Sequence, residues 1–137
     1  MSTDDVENRP SVLVNALSLE ASGNGPAWSL KEPVRDLDVN VVALEPNAQI
    51  DKHVGPDLDV LMHVVAGSGV VTADDGEHAV DAGALVWLPR RSLRSIAAAG
   101  DGMRYLTVHR KRGGLTVGPR RPRDEANGGD SRGGGDD

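Results

Sequence analysis

The stretch Gly83-Ala84-Leu85-Val86-Trp87-Leu88-Pro89 decides the fold of this chain. It is a four-residue apolar run between a glycine and a proline, two residue types that commonly end strands and form turns. Two glycine-containing stretches precede it: Ala66-Gly67-Ser68-Gly69 predicts a hairpin-like turn, and Asp74-Asp75-Gly76 predicts a tight turn. The pattern indicates short β-strands that are joined by turns in which glycine is required.

The same pattern extends over most of the chain. Turn signals recur about every 8–12 residues, and no segment shows a convincing helical period. Such a series is typical of an all-β sandwich or barrel, and a jelly roll of two sheets fits it best. The predicted strands cover residues 12–17, 37–44, 58–66, 70–73, 78–80, 85–88, 93–97 and 104–109.

Length and composition allow one domain. The chain has 137 residues, and a core of this size buries enough apolar surface to fold without cross-links. We expect a flexible N-terminus over residues 1–10, a folded domain over residues 11–112 and a disordered tail over residues 113–137. The tail is rich in Gly, Arg and Asp and almost free of apolar residues, so burial cannot offset the entropy of ordering it.

The sequence lacks certain residue types and segments, and this limits the cellular locations that we expect for the protein. There is no cysteine, which excludes disulfides and thiolate metal sites. No apolar run approaches the roughly 20 residues that span a bilayer, and the polar start lacks the apolar segment of a signal peptide. We therefore expect a soluble, cytoplasmic protein without a membrane partner.

The charge distribution argues against a nucleic-acid partner. The formal net charge is −6, and residues 11–110 contain eight Lys and Arg against thirteen Asp and Glu. A domain this acidic is poorly suited to bind a phosphate backbone. Six basic residues between positions 110 and 123 are followed by acidic ones, which favours a solvated tail. The alternative is that this tail docks on a partner.

The aromatic residues are few: Trp28, Trp87 and Tyr105. The core must therefore be built from Val, Leu, Ile and Ala, which suit packing on a pleated sheet. A small sandwich with exposed edge strands often pairs with a second copy of itself. We expect a homodimer.

The glycines and the proline around the short strand resemble the cupin family over roughly residues 39–109. The second motif of that family is a glycine, five residues and a proline, followed by a glycine, a histidine and an asparagine. Gly83 and Pro89 match this motif, whereas Arg91, Arg94 and Ala98 replace the last three residues. The resemblance implies a cupin-type jelly roll, a double-stranded β-helix barrel that usually holds a metal ion.

The first cupin motif contains a His-x-His pair, a glutamate and a glycine that opens a hairpin. The glycine is Gly67. His53 stands at the first histidine, Gly55 at the second and Val60 at the glutamate. Of the four usual metal ligands only His53 remains, and a divalent ion needs three or four nitrogen or oxygen ligands. We therefore expect no cofactor, or at most a weakly bound metal.

Arg94 places a permanent cation where the family has a metal-binding histidine. A guanidinium at this position repels divalent ions and offers a bidentate fork to a carboxylate or phosphate. This predicts an anion-binding pocket with Arg94 as its anchor and with Trp87 and Met62 among its apolar walls. The alternative is that Arg94 and the two arginines before it point to solvent and pair with Asp57 or Asp59.

Either face of the strand predicted over residues 58–66 can lie inside. One face carries Val60 and is apolar, and the other carries Asp59 and His63. If the second face is inside, His53, Asp59 and His63 form a site for Fe, Mn, Ni or Zn, which His109 extends. A core needs an unbroken apolar face, which favours Val60 as the inward residue.

These observations favour one function and leave a second open. The first is a non-catalytic or weakly metal-binding jelly roll, ligand-binding or regulatory, that takes a small and anionic molecule. The second is a metal-dependent enzyme, an isomerase or dioxygenase, that uses His53, His63 and Asp59 around one divalent ion. The sequence contains no Ser-His-Asp order, phosphate-binding loop or dinucleotide-binding glycine pattern, and it does not specify a reaction.

Overall fold

The computed structural model describes residues 9–21 and 23–112, and the regular structure in this part of the chain is β-strand. The predicted disordered tail and nearly all of the predicted flexible N-terminus lie outside the described residues. No helix in those residues is long and apolar enough to cross a membrane. The strands are β1 (Gly25–Ser29), β2 (Leu37–Leu44), β3 (Gln49–Val54), β4 (Val60–Ala73), β5 (Gly76–Asp81), β6 (Leu85–Leu88) and β7 (Leu93–Arg110).

Two long strands, β4 and β7, form the frame of the fold. They pair antiparallel along their length, from Leu61 opposite Val108 to Ala73 opposite Arg94. The first part of β4 also pairs with β6, and its last part pairs with β5. The first part of β7 pairs with β3, and its last part pairs with β2. Each long strand therefore belongs to two sheets, β1-β2-β7-β4-β6 and β3-β7-β4-β5, which is the arrangement of a jelly roll.

Glycines allow the long strands to bend between the two sheets. The register of β4 against β7 shifts twice, between Val64 and Ala66 and between Gly67 and Gly69. Gly67 has a φ of +76° and packs against the carbonyl group of Gly102. Irregularities of this kind bend a strand and increase its twist. The bend brings the two halves of each long strand face to face.

The core lies between the inner faces of the two sheets. One cluster of buried residues contains Ile96 from the first half of β7, Tyr105 from its second half, and Val60 and Met62 from β4. Val60 and Met62 are fully buried, whereas Leu61 between them is 39% exposed. The all-β jelly roll and the inward face that carries Val60 are therefore confirmed.

Two predicted strands and one predicted turn coincide with the structure. Residues 37–44 form β2, and residues 85–88 form β6. Asp74 and Asp75 form the tight turn that joins β4 to β5, with Ala73 opposite Gly76.

Other local predictions are wrong. Gly67-Ser68-Gly69 lies inside β4 and forms no hairpin turn, and residues 93–97 and 104–109 belong to one strand, β7. A glycine that permits a bend within a strand gives the same sequence signal as a glycine in a turn. Residues 12–17 form no strand, and the pattern predicts neither β1 nor β3.

We predict that Gly67→Ala lowers the free energy of unfolding by about 2–4 kcal/mol. The reason is a left-handed backbone conformation combined with a steric overlap between the new methyl group and the Gly102 carbonyl. Gly100→Ala is the control, since a methyl group on Gly100 has no neighbouring atom within 4 Å. Urea unfolding followed by tryptophan fluorescence compares the two variants. Equal stabilities would contradict the bend described above.

Candidate functional site

Arg94 lies on the inner face of the jelly roll. It is the second residue of β7 and stands opposite His53 of β3 and Ala73 of β4. Two residues further along the same face is Ile96, which belongs to the core cluster. The alternation of the strand thus directs the guanidinium inward, and the Arg94 side chain is 0% exposed.

Ser92, Gly55 and Tyr105 surround the guanidinium of Arg94. Its Nη1 donates a hydrogen bond to Ser92 Oγ at 3.2 Å and packs against the backbone of Gly55. Burial lowers the pKa of Arg94 to about 10, and the interaction with Tyr105 acts in the opposite direction. The guanidinium therefore keeps its positive charge at neutral pH, inside a mainly apolar core.

Gly55 provides the space that the Arg94 guanidinium occupies. A methyl group built on Gly55 would overlap Nη1 and Cζ of Arg94. A histidine at position 55 is therefore incompatible with an inward arginine at position 94. The glycine at position 55 and the inward arginine at position 94 are therefore sterically matched.

Two loops at the rim of the jelly roll close over this arginine. The backbone N–H of Gly55 donates to the Ser92 carbonyl at 2.9 Å, and the N–H of Arg91 donates to the Pro56 carbonyl at 2.8 Å. Gly55 and Ser92, which flank the guanidinium, are thus joined to each other. Arg94 is enclosed by hydrogen-bonded backbone on the rim side.

Ion pairs between the same loops reinforce the rim. Arg91 forms two hydrogen bonds to the carboxylate of Asp57, at 3.2 and 3.0 Å, which lower the pKa of Asp57. The backbone N–H of Arg90 donates to Asp59 Oδ1 at 3.0 Å. These side chains are exposed, so each pair contributes little to stability. The predicted pairing with Asp57 and Asp59 is found for Arg90 and Arg91, whereas Arg94 points inward.

The solved structures that resemble this fold include cupins. A cupin from Bacteroides fragilis matches with a TM-score of 0.52 and 22% sequence identity, over 63% of this chain and 75% of that chain. A cupin-superfamily sugar phosphate isomerase from Silicibacter pomeroyi matches with a TM-score of 0.51 and 23% identity, over 58% of this chain and 53% of that chain.

The chain has the cupin fold. A conserved protein of unknown function from Streptococcus pyogenes shares this cupin-like fold with a TM-score of 0.59 and 18% identity, over 78% of this chain and 93% of that chain. No family model matches the sequence, and neither does any curated protein. The neighbours therefore establish the cupin architecture and carry no activity over to this chain.

The residues that this cupin fold brings together do not fit a divalent ion. His53 lies beside Arg94, and its Nδ1 is 2.9 Å from the carbonyl oxygen of Asp51. Asp59 is at the exposed rim with Arg90, and His63 lies on the other face of β4 from the buried Val60 face. Across the described ranges, no three His, Cys, Asp or Glu residues are grouped to hold a metal. The predicted site of His53, Asp59 and His63 is therefore not assembled.

The side chains that were predicted to form an anion pocket differ in their burial. Met62 and Arg94 are both buried inside the cupin barrel. Trp87 is 60% exposed and pairs with Leu61 on the outer face, because Val86 and Leu88 are the inward residues of β6. Trp87 as a wall of this pocket is therefore wrong, since the run of apolar residues did not indicate which of its alternate members point inward.

Three polar side chains lie on the inner face of β7, and of these only His109 belongs to a site predicted from the sequence. Tyr105 and Thr107 are fully buried, and His109 is 8% exposed with Nδ1 2.8 Å from the Arg110 carbonyl. The alternation of side chains along β7 indicates all three, because Thr107 and His109 follow the core residue Tyr105 at intervals of two. His109 lies with them and not with His53 and His63.

We predict that Gly55→Ala lowers the free energy of unfolding by about 1–3 kcal/mol, because the added methyl group overlaps the guanidinium. In an Arg94→Met background the same change costs much less, since methionine lacks the overlapping Cζ and Nη1 atoms. A double-mutant cycle measured by urea unfolding then gives a coupling energy of about 1 kcal/mol or more. Independent effects of the two substitutions would contradict the contact between Gly55 and Arg94.

Proposed function

We propose that this cupin-fold chain is a metal-independent, non-catalytic protein that binds a small anionic molecule. The observation that carries the proposal is the inward, fully buried Arg94 at the position where the resemblance places a metal-binding histidine. A permanent cation there repels a divalent ion, and Gly55 adds no ligand atom of its side chain. Binding of an anion uses the charge that the interior already contains.

The electrostatics of the interior favour an anionic ligand. The charge of Arg94 is fully buried near Tyr105, where water screens it little. A carboxylate or phosphate group beside Arg94 would gain a charge-assisted hydrogen bond and reduce the cost of burying the cation. Such a ligand has to part Gly55 from Ser92, because these residues enclose the guanidinium.

A metal-dependent isomerase or dioxygenase is the less favoured function. It would require His53, Asp59 and His63 to converge on one ion, and the structure places them on the inner face, the rim and the outer face. A sugar phosphate isomerase is among the structural neighbours, but its identity to this chain is 23%. The homodimer and the cytoplasmic location stay predictions from the sequence.

We predict that the natural chain purifies without a stoichiometric divalent metal and that a chelator leaves its melting temperature unchanged. Restoring the family ligands by Gly55→His, Val60→Glu and Arg94→His, with His53 in place, creates a four-ligand set that binds about one Zn²⁺ per chain. Elemental analysis measures the metal content of the natural chain, and zinc titration measures zinc binding by the triple variant. The control adds His53→Ala to the three substitutions and should weaken zinc binding.

If the triple variant does not fold, the metal content of the natural chain still tests metal independence. Iron, manganese, nickel or zinc at near one ion per chain, lost on His53→Ala, would contradict metal independence. For the ligand, Arg94→Met should abolish the binding of any anion that the natural chain takes up at this arginine. If Arg94→Met binds every such anion as tightly as the natural chain does, Arg94 is not the anchor.

A further inference from the structure

A polar pocket of about 280 Å³ opens between β1, β2 and the end of β7. One of its lining residues, His109, lies on the same inner face of β7 as Thr107 and Tyr105, because every second residue of a strand points to the same side. Arg94, near the start of β7, is not among the residues that line the pocket. The lining residues are Ser29, Leu30, Lys31, Arg35, Asp38, Val39, Asn40, His109 and Arg112.

The lining of this pocket is positively charged within an acidic domain. Lys31, Arg35 and Arg112 stand against one acid, Asp38. Arg35 is paired with Asp38 by two hydrogen bonds to Oδ1, at 3.0 and 2.9 Å, so these two charges offset each other. By count, the lining carries three cationic side chains and one acidic side chain. A concave site in which one sign of charge is in excess concentrates small ions of the opposite sign.

His109 presents a defined nitrogen to this pocket. Its Nδ1 lies 2.8 Å from the Arg110 carbonyl, and a carbonyl only accepts, so Nδ1 carries a proton and donates it. Nε2 is then the atom left for a ligand. It accepts a hydrogen bond when the ring is neutral and donates one when the ring is protonated. Because the side chain is 8% exposed, its orientation is held by packing.

Two further polar side chains adjoin His109. Asn40 lines the pocket, and its Oδ1 accepts a hydrogen bond from Ser29 Oγ at 2.5 Å, which leaves its amide nitrogen as a donor. Thr107 stands opposite Asn40 in the pairing of β2 with β7 and is fully buried. Its Oγ1 has no hydrogen-bond partner within residues 9–21 and 23–112. A buried hydroxyl without a partner marks a place where a bound polar group restores a lost hydrogen bond.

We propose that this pocket binds a small molecule through an oxyanion, a carboxylate or a phosphate. The cationic side chains of the lining, Lys31 among them, supply the charge. The amide nitrogen of Asn40 and, in a protonated ring, the Nε2 atom of His109 donate directed hydrogen bonds. The volume suits a compact ligand, near the lower limit for small-molecule sites. The inference goes beyond the function proposed above, because this site does not include Arg94.

The test is a titration of the full natural chain with inorganic phosphate and, separately, with malonate, at constant ionic strength. Amide chemical shifts in NMR spectra report the affected residues, and calorimetry gives the dissociation constant. We expect saturable binding of at least one probe, with the largest shifts around Asn40 and His109. The comparison of the two probes distinguishes a phosphate from a carboxylate ligand.

Lys31→Met should raise the dissociation constant about tenfold or more, because it removes one charge from the pocket. Lys52→Met is the matched control, since Lys52 is exposed and does not line the pocket. It should leave the constant unchanged. His109→Asn, which keeps a donor near Nδ1 and lacks Nε2, should weaken binding more than His109→Gln, whose amide reaches the Nε2 position.

Each other outcome overturns the inference. Absence of saturable binding for both probes excludes an oxyanion site here, and equal losses in Lys31→Met and Lys52→Met indicate nonspecific attraction. Loss of binding in Arg94→Met with full binding in Lys31→Met assigns the anion to the barrel interior, which supports the function proposed above and contradicts this pocket. Retained binding in Arg94→Met together with loss of binding in Lys31→Met is the result that we expect, and it assigns the anion to this pocket.

Discussion

The interior of this jelly roll depends on the contact between the Arg94 guanidinium and the backbone of Gly55. A buried cation is costly unless groups around it compensate, and here Ser92 and Tyr105 lie on either side of the space that Gly55 leaves open. The charge persists at neutral pH, because a pKa of about 10 lies well above it. The guanidinium occupies the space beside Gly55, and its size requires a glycine there.

The bend in the long strands brings this arginine to its place. Because β4 and β7 fold back at Gly67 and Gly102, the start of β7 faces its second half, and Arg94 meets Tyr105. The pleat of the strand directs every second residue of the last part of β7 inward, and that part ends at His109 beside a polar pocket.

Local patterns predicted the parts of the structure that local chemistry determines. The apolar alternation around Val60 sufficed to identify the inward face, and two turn-bounded strands were placed within their observed limits. Trp87 was misplaced because a run of four apolar residues has no alternation of its own. The pocket near His109 was beyond prediction, since it combines β1, which has no clear sequence signal, with residues about 80 positions further along the chain.

The most direct test of the central claim is a crystal structure of the natural chain grown with excess zinc. The account predicts that the Arg94 guanidinium packs against Gly55 beside Ser92 and that no zinc ion lies between them and His53. A zinc ion bound to His53 inside the barrel, with Arg94 turned out toward the solvent, would contradict it.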